Sequence, residues 1–191
     1  MIDKKALETI AWQNDGNGFV QYKTNDFKAL GARLYQDVPS SYQSGPGGTV
    51  TVNIQKLSGD VTAPYGLLFG YQDSSNFYRL LVSAEKGSYR IDKKVNGVYT
   101  EIRDWRYDSQ ILWGLQSGTT VQSMSITQPS STYYTLKFNN SPYVNDSFYD
   151  SSLPTSGWAG YYFVVGDSVS ENFPLDSEDM RFQMTAPVVA P

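Results

Sequence analysis

The chain of 191 residues contains no cysteine and no histidine. The first absence excludes disulfides, thiol nucleophiles and thiolate metal sites. The second removes the commonest general base and the imidazole metal ligand. Ser-His-Asp and Cys-His machinery is therefore impossible here. Charge is also scarce: Asp, Glu, Lys and Arg make up 18% of the chain, the formal net charge is −4 and the sequence pI is about 4.8. Lys-Lys pairs stand at 4–5 and 93–94, with no longer basic block. That disfavours nucleic acid as a partner, because its binding depends on neutralising phosphates. It equally disfavours a purely electrostatic attachment to an anionic membrane. No apolar run approaches the roughly 18–20 residues needed to cross a bilayer, so no transmembrane segment is expected. Met1-Ile-Asp-Lys-Lys5 is too polar and too abrupt for a secretory signal.

What the chain has in excess is tyrosine: 15 residues, beside nine Phe and four Trp. With 40% hydrophobic residues it can build a real core, and it lacks the high charge of disordered chains. Tyrosine suits a pleated sheet and carries a flat apolar face with a polar tip. The aromatics therefore have two readings: half-buried sheet residues, or in part a stacking surface for sugars.

The pattern along the chain is that of short strands and tight turns. Thr49-Val-Thr-Val-Asn-Ile-Gln-Lys-Leu57 alternates, with Val50, Val52 and Ile54 on one face. Tyr65 to Val82 reads as a hairpin turning at Asp73-Ser-Ser-Asn76. Leu67, Phe69 and Tyr71 share one face of its first strand; on its second, Tyr78, Leu80 and Val82 oppose Phe77, Arg79 and Leu81. Gly66 and Gly70 weaken the first strand and allow a close approach by a neighbour. Strands follow at Gly87–Lys94 and Val95–Ile102, with Asn96-Gly97 as a type I′ turn signal. Trp105, Tyr107, Ile111 and Trp113 fall in an irregular polar loop. Alternation resumes over Thr119–Ile126, and Tyr133–Phe138 with Pro142–Val144 reads as a further hairpin. Trp158–Gly166 is a near-continuous apolar run suited to a central strand, and Asp179–Thr185 is the last strand. Nearer the N-terminus, Glu8–Trp12, Phe19–Tyr22 and part of Phe27–Tyr35 are strand-like, while Pro39–Gly48 reads as a surface loop. About a dozen strands at this spacing predict an all-β antiparallel sandwich. One domain is expected over 1–191, with its core over about 8–186 and tails at 1–7 and 187–191.

Several pieces, in order, carry a family resemblance. They are Tyr65-Gly-Leu-Leu-Phe-Gly-Tyr-Gln-Asp73, Asn76-Phe-Tyr78, Gly87-Ser-Tyr-Arg-Ile-Asp-Lys93, Asn96-Gly97 and Trp113, then Tyr134-Thr-Leu-Lys-Phe-Asn-Asn140, Gly157-Trp-Ala-Gly-Tyr-Tyr162 and Met180-Arg-Phe-Gln-Met184. Over about residues 49–186 the chain resembles the concanavalin A-like lectin/glucanase superfamily, nearest its laminin-G-like and bacterial members of unknown function. The resemblance implies a jelly roll of two packed antiparallel sheets. It also implies an exported bacterial module, extracellular, periplasmic or on the cell surface and in some cases lipid-anchored, with Met1 in place of a removed leader. A glycan or a cell-surface protein is the implied partner.

A glycoside hydrolase needs two carboxylates at a set separation. Related glucanases place them as Glu-x-Asp-x-Glu on one strand. Asp176-Ser-Glu178 is only a fragment of that pattern, with Pro174 where the leading Glu belongs, and it reads as a solvated turn. Glu101 and Asp104 beside Arg103 read as surface ion pairs. Catalytic residues are therefore not assigned, and the chain is read as leaning away from an enzyme. No metal or other cofactor is assigned either. Asn14-Asp-Gly-Asn-Gly18 and Asp73-Ser-Ser-Asn76 carry atoms that calcium uses, but neither has the spacing of a known loop. For a glycan surface the candidates are Trp105, Tyr78, Arg79, Tyr89, Arg90, Tyr99 and Trp113. Trp105 leads because Arg103-Asp-Trp-Arg-Tyr-Asp108 is too polar for easy core burial. Tyr78 and Arg79 point to opposite faces of one strand and cannot both contribute. A hydrolase with an unrecognised carboxylate pair and a purely structural interaction domain stay as alternatives.

Overall fold

A computed structural model describes residues 13–14, 19–22, 33–34, 47–58, 61, 64–116, 120–155, 157–164, 180–184 and 188–190. The expected strand at Glu8–Trp12 and the loop up to residue 46 lie outside these residues. The described residues form fourteen strands and no helix. In chain order they are β1 (Gln13–Asn14), β2 (Phe19–Tyr22), β3 (Arg33–Leu34), β4 (Thr49–Ser58), β5 (Tyr65–Asp73), β6 (Asn76–Ser83) and β7 (Ser88–Val95). Then come β8 (Val98–Tyr107), β9 (Gln122–Ser130), β10 (Tyr133–Phe138), β11 (Asp146–Tyr149), β12 (Trp158–Val164), β13 (Met180–Met184) and β14 (Val188–Ala190).

Two antiparallel sheets result. An eight-stranded sheet runs β1-β2-β13-β4-β9-β10-β11, with β14 also paired to β4. A six-stranded sheet runs β3-β12-β5-β6-β7-β8. The all-β sandwich expected from the strand pattern is therefore the observed fold, and β12 is flanked on both sides as its apolar run requires. Two placements change. Val188–Ala190, read as tail, pairs with Thr49–Thr51. The partner of β10 starts at Asp146 rather than Pro142: Asn139 and Asn140 (φ 48° and 55°) make a tight turn closed by Ser141 N donating to Phe138 O at 2.9 Å, and residues 141–145 then intervene before pairing begins.

The core lies between the sheets. Val50, Val52 and Ile54 of β4, Met124 and Ile126 of β9, and Leu136 and Phe138 of β10 meet Leu67, Phe69, Tyr78, Leu80, Val82, Tyr89 and Ile91 of the other sheet. Tyr78, Phe69, Tyr134 and Phe148 form an aromatic knot at one end, with ring centroids 4.9–6.5 Å apart. Asn96 and Gly97 take φ of 50° and 82°, the two positive values that a type I′ turn needs. Gly70 explains the one face assignment that changes. Its φ of +56° sits in a bulge where β5 carries three residues, 70–72, opposite Phe77 alone. The bulge turns Tyr71 out of the core, and it stacks on Phe77 at 6.2 Å on the opposite face.

The open side of the sandwich, between β7–β8 and β11, is closed by charge. Asp146 accepts hydrogen bonds from Tyr89 Oη (2.7 Å) and Arg103 Nε (2.8 Å). Asp150 accepts from Tyr78 Oη (2.7 Å) and from Lys93, which also reaches Ser152 Oγ at 2.6 Å. Burial works against both carboxylates, but these donors outweigh it and hold both below the ordinary carboxylate value. Each therefore binds its proton more weakly folded than unfolded. Its contribution is complete above the unfolded value of about 3.9 and disappears as pH falls through the folded one. The urea midpoint is expected to drop as pH falls below about 4, and Asp150→Asn should flatten that drop. An equally steep acid transition in Asp150→Asn would contradict this account.

Candidate functional site

Alternation on β6 and β7 gives the six-stranded sheet a second packed face, pointing away from the core. Leu68, Tyr71, Phe77, Leu81 and Tyr162 are buried there, with Tyr99 and Trp105 packed against them. Into this apolar bed the sheet register sets a row of charges. Arg79 of β6 stands opposite Asp92 of β7, which stands opposite Glu101 of β8. Arg90 stands opposite Leu81.

The two arginines are used differently. Arg79 is fully engaged. It donates from Nε and Nη2 to the two oxygens of Asp92, the second at 2.9 Å, and from Nη1 to Tyr162 Oη at 2.7 Å. Its guanidinium lies 4.4 Å from the Tyr99 ring centroid and 4.8 Å from that of Tyr162. Burial opposes its charge, but Asp92 and the two tyrosines more than offset this and keep it firmly protonated. Arg79 and the fully buried Asp92 are thus a fixed support.

Arg90 is not engaged in this way. Its Nε is 3.2 Å from Asp92 Oδ2 and its Nη2 is 3.6 Å from Glu101 Oε2. The first contact is close enough for an ion pair, yet the N–H is not directed at the oxygen, and this buried Nε has no hydrogen-bond partner. The Arg90 side chain is 29% exposed and that of Glu101 44%. Two residues along the same face of β7, the Ser88 hydroxyl is also buried without a partner. Trp105 and Tyr107 lie on β8 beside this stretch, and Tyr107 is directly opposite Ser88. Tyr107 is 62% exposed and meets Trp113, 63% exposed, edge to face at 6.4 Å. Gly87 makes room for Trp113: a Cβ there would come 2.4 Å from the indole Nε1.

Of the seven sequence candidates, Arg79, Arg90, Tyr99 and Trp105 share this outer face. Trp113 stands at the end of the β6–β7 connection, over Gly87. Tyr78 and Tyr89 do not belong with them. Both are inward-facing core residues whose hydroxyls tie into the Asp150 and Asp146 seam, so neither ring has a face to offer a ligand. Trp105 and Tyr107 are on a strand and not in a loop, because β8 continues to Tyr107 with bulges opposite Tyr89–Asp92. Sequence reasoning missed Asp92, Glu101, Tyr107 and Tyr162. Asp92 was detectable as the residue that alternates with Arg90 and Lys94; Tyr162 comes from β12, which no local pattern connects to Arg79.

Asp146 and Asp150 are each tied to a cation and held ionised, the reverse of what a general acid needs. The Asp73 carboxylate accepts from Ser75 N and Asn76 Nδ2, which is ordinary turn bonding. Most of Asn14–Gly18 lies outside the described residues. Among the described residues, no three acidic side chains gather into a group able to hold a metal ion.

No protein-family model matches the sequence, and no curated protein does. Solved structures do match. The carbohydrate binding module CBM66 from Bacillus subtilis superposes with a TM-score of 0.56 at 12% identity, covering 91% of this chain and 96% of that one. Sheep galectin-11, in complex with glycerol, gives 0.53 at 10% identity, covering 82% and 96%. Chicken galectin 2 gives 0.52 at 11% identity, covering 83% and 100%. At such identities the likeness is one of fold, a jelly-roll sandwich of two antiparallel sheets.

Proposed function

We propose that this chain is a carbohydrate-binding module whose ligand lies on the outer face of the six-stranded sheet, along β7 and β8. The observation that carries the reading is the contrast between the arginines. Arg79 makes three hydrogen bonds inside the protein, whereas the Arg90 guanidinium, though in ion-pair range of Asp92 and Glu101, donates no hydrogen bond to any described residue and is partly exposed beside Trp105. A charged donor held by its surroundings but left uncommitted costs stability unless something else completes it. Sugars suit such a face: their C–H planes stack on aromatic rings and their hydroxyls accept from a guanidinium. The fold shared with CBM66 supports the reading, since that protein is named as a carbohydrate binding module, and the galectins share the same fold.

The module is read as non-catalytic and exported by a bacterium to its surface. Native protein found in the cytosol with an unprocessed N-terminus, by intact mass, would overturn the export half. A reducing-sugar release assay addresses the catalytic half, because release of sugar would favour a hydrolase. For binding itself, Arg90→Ala and Trp105→Ala are each expected to weaken glycan affinity roughly tenfold or more, as truncations at the centre of a binding surface do. Both variants should keep a cooperative thermal transition. If neither changes the array profile, the face is not the binding site.

A further inference from the structure

Resting on that reading of the face, we infer that the ligand beside Arg90 is an uncharged glycan presenting adjacent hydroxyls, and that acidic glycans are disfavoured there. Two groups carry this: Arg90 and Glu101. Arg90 and Glu101 lie side by side at 3.6 Å without a hydrogen bond between them. No oxygen of Glu101 accepts a hydrogen bond from a described residue, and the guanidinium of Arg90 donates none. One face thus presents uncommitted donors and uncommitted acceptors next to each other. A hydroxyl both donates and accepts, so a pair of neighbouring hydroxyls can take a bond from Arg90 and return one to Glu101.

A carboxylate or sulfate fits the same place badly. Arg90 is flanked by two carboxylates, Asp92 Oδ2 at 3.2 Å and Glu101 Oε2 at 3.6 Å. An anion bound to Arg90 would sit within a few ångströms of both, and like charges this close repel strongly away from bulk water. Arg79 and Asp92 offset one another, so the uncompensated repulsion an anion would meet beside Arg90 comes chiefly from Glu101. Across the row, Arg79, Asp92, Arg90 and Glu101 sum to zero, and the one further cation on this face of β7, Lys94, lies beyond Asp92, bonded to Ser74 O and set over the rings of Phe77 and Tyr99.

The experiment is a glycan array in which each neutral glycan is paired with a sulfated or uronylated derivative on the same backbone, followed by calorimetry on the hits. The wild-type protein should prefer the neutral member by about tenfold or more, with affinity nearly independent of salt. Glu101→Gln, an exposed and near-isosteric change, should shrink that preference by improving the acidic member. Arg90→Ala should weaken both. The inference is overturned if the wild-type protein prefers acidic members, with affinity falling as salt is raised. It is also overturned, together with the reading of the face, if no glycan of either kind binds in a manner sensitive to Arg90→Ala. Neutral preference unchanged by Glu101→Gln would likewise overturn it, because another part of the surface would then set the selectivity.

Discussion

Gly66→Ala is expected to destabilise the fold by about 3 kcal/mol or more, the upper end of what overpacking costs. The added Cβ would lie 1.8 Å from the carbonyl oxygen of Leu80, 2.9 Å from its carbonyl carbon and 3.0 Å from the Cα of Leu81. All three are backbone atoms of β6, the strand that pairs with Gly66, so no side chain can rotate away. Relief requires β5 and β6 to separate at the middle of the six-stranded sheet. In a chain of this size that corresponds to a fall in melting temperature of roughly 6–12 °C. Gly97→Ala is the useful comparison. It meets nothing within 4 Å, but its φ of +82° disfavours a Cβ, so its cost is conformational and nearer about 1 kcal/mol. Scanning calorimetry of both variants checks the argument. A Gly66→Ala transition within a degree of wild type would refute it.

Asp92→Ala should be comparably severe, for an electrostatic reason. Asp92 is 0% exposed and takes both of its oxygens to Arg79, with Arg90 alongside. Removing the carboxylate strands the Arg79 charge among Tyr99, Tyr162 and the apolar bed. Breaking a buried pair by deleting one partner costs about 3–5 kcal/mol. The buried pair as a whole is a different matter, since paired charges replaced together by apolar residues are often neutral. Arg79→Met combined with Asp92→Leu is therefore expected to recover most of the stability lost in Asp92→Ala. Urea unfolding of the wild type, the single variant and the double variant gives the comparison. If the double variant is no more stable than the single, the cost does not come from a stranded charge.

Much of this architecture is legible in the sequence, and what is not has physical causes. The alternation of Phe77 to Val82 correctly separates Tyr78 from Arg79, because side chains on a strand must alternate. It does not say which face is core, because Phe77 and Leu81 are as apolar as Leu80 and Val82: this sheet buries both faces. Tyr71 is misplaced by simple alternation, because a glycine with positive φ inserts a bulge that no period-two count registers. Trp105 is singled out by its polar neighbours, and those charges mark the edge of a sheet rather than a loop. Arg90 and Tyr89 look equivalent in the sequence, and burial alone divides them. Asp92 and Arg79 are 13 residues apart, and Arg79 and Tyr162 are 83 apart. The first pairing follows from a hairpin register; the second depends on which distant strand joins β5, a tertiary fact.

The position of β8 carries a consequence for anyone who would alter this protein. Among the described residues it ends the six-stranded sheet and pairs with β7 alone. Its two irregularities already absorb extra backbone without disturbing the strands behind it. Glu101, Trp105 and Tyr107 project from it over a bed supplied by other strands. The segment therefore resembles a replaceable reading head on a fixed chassis. A library varied at those three positions, with Ile102 and the seam residue Arg103 held constant, should yield folded proteins of changed selectivity at high frequency. The same diversity placed on β6 would mostly yield aggregates.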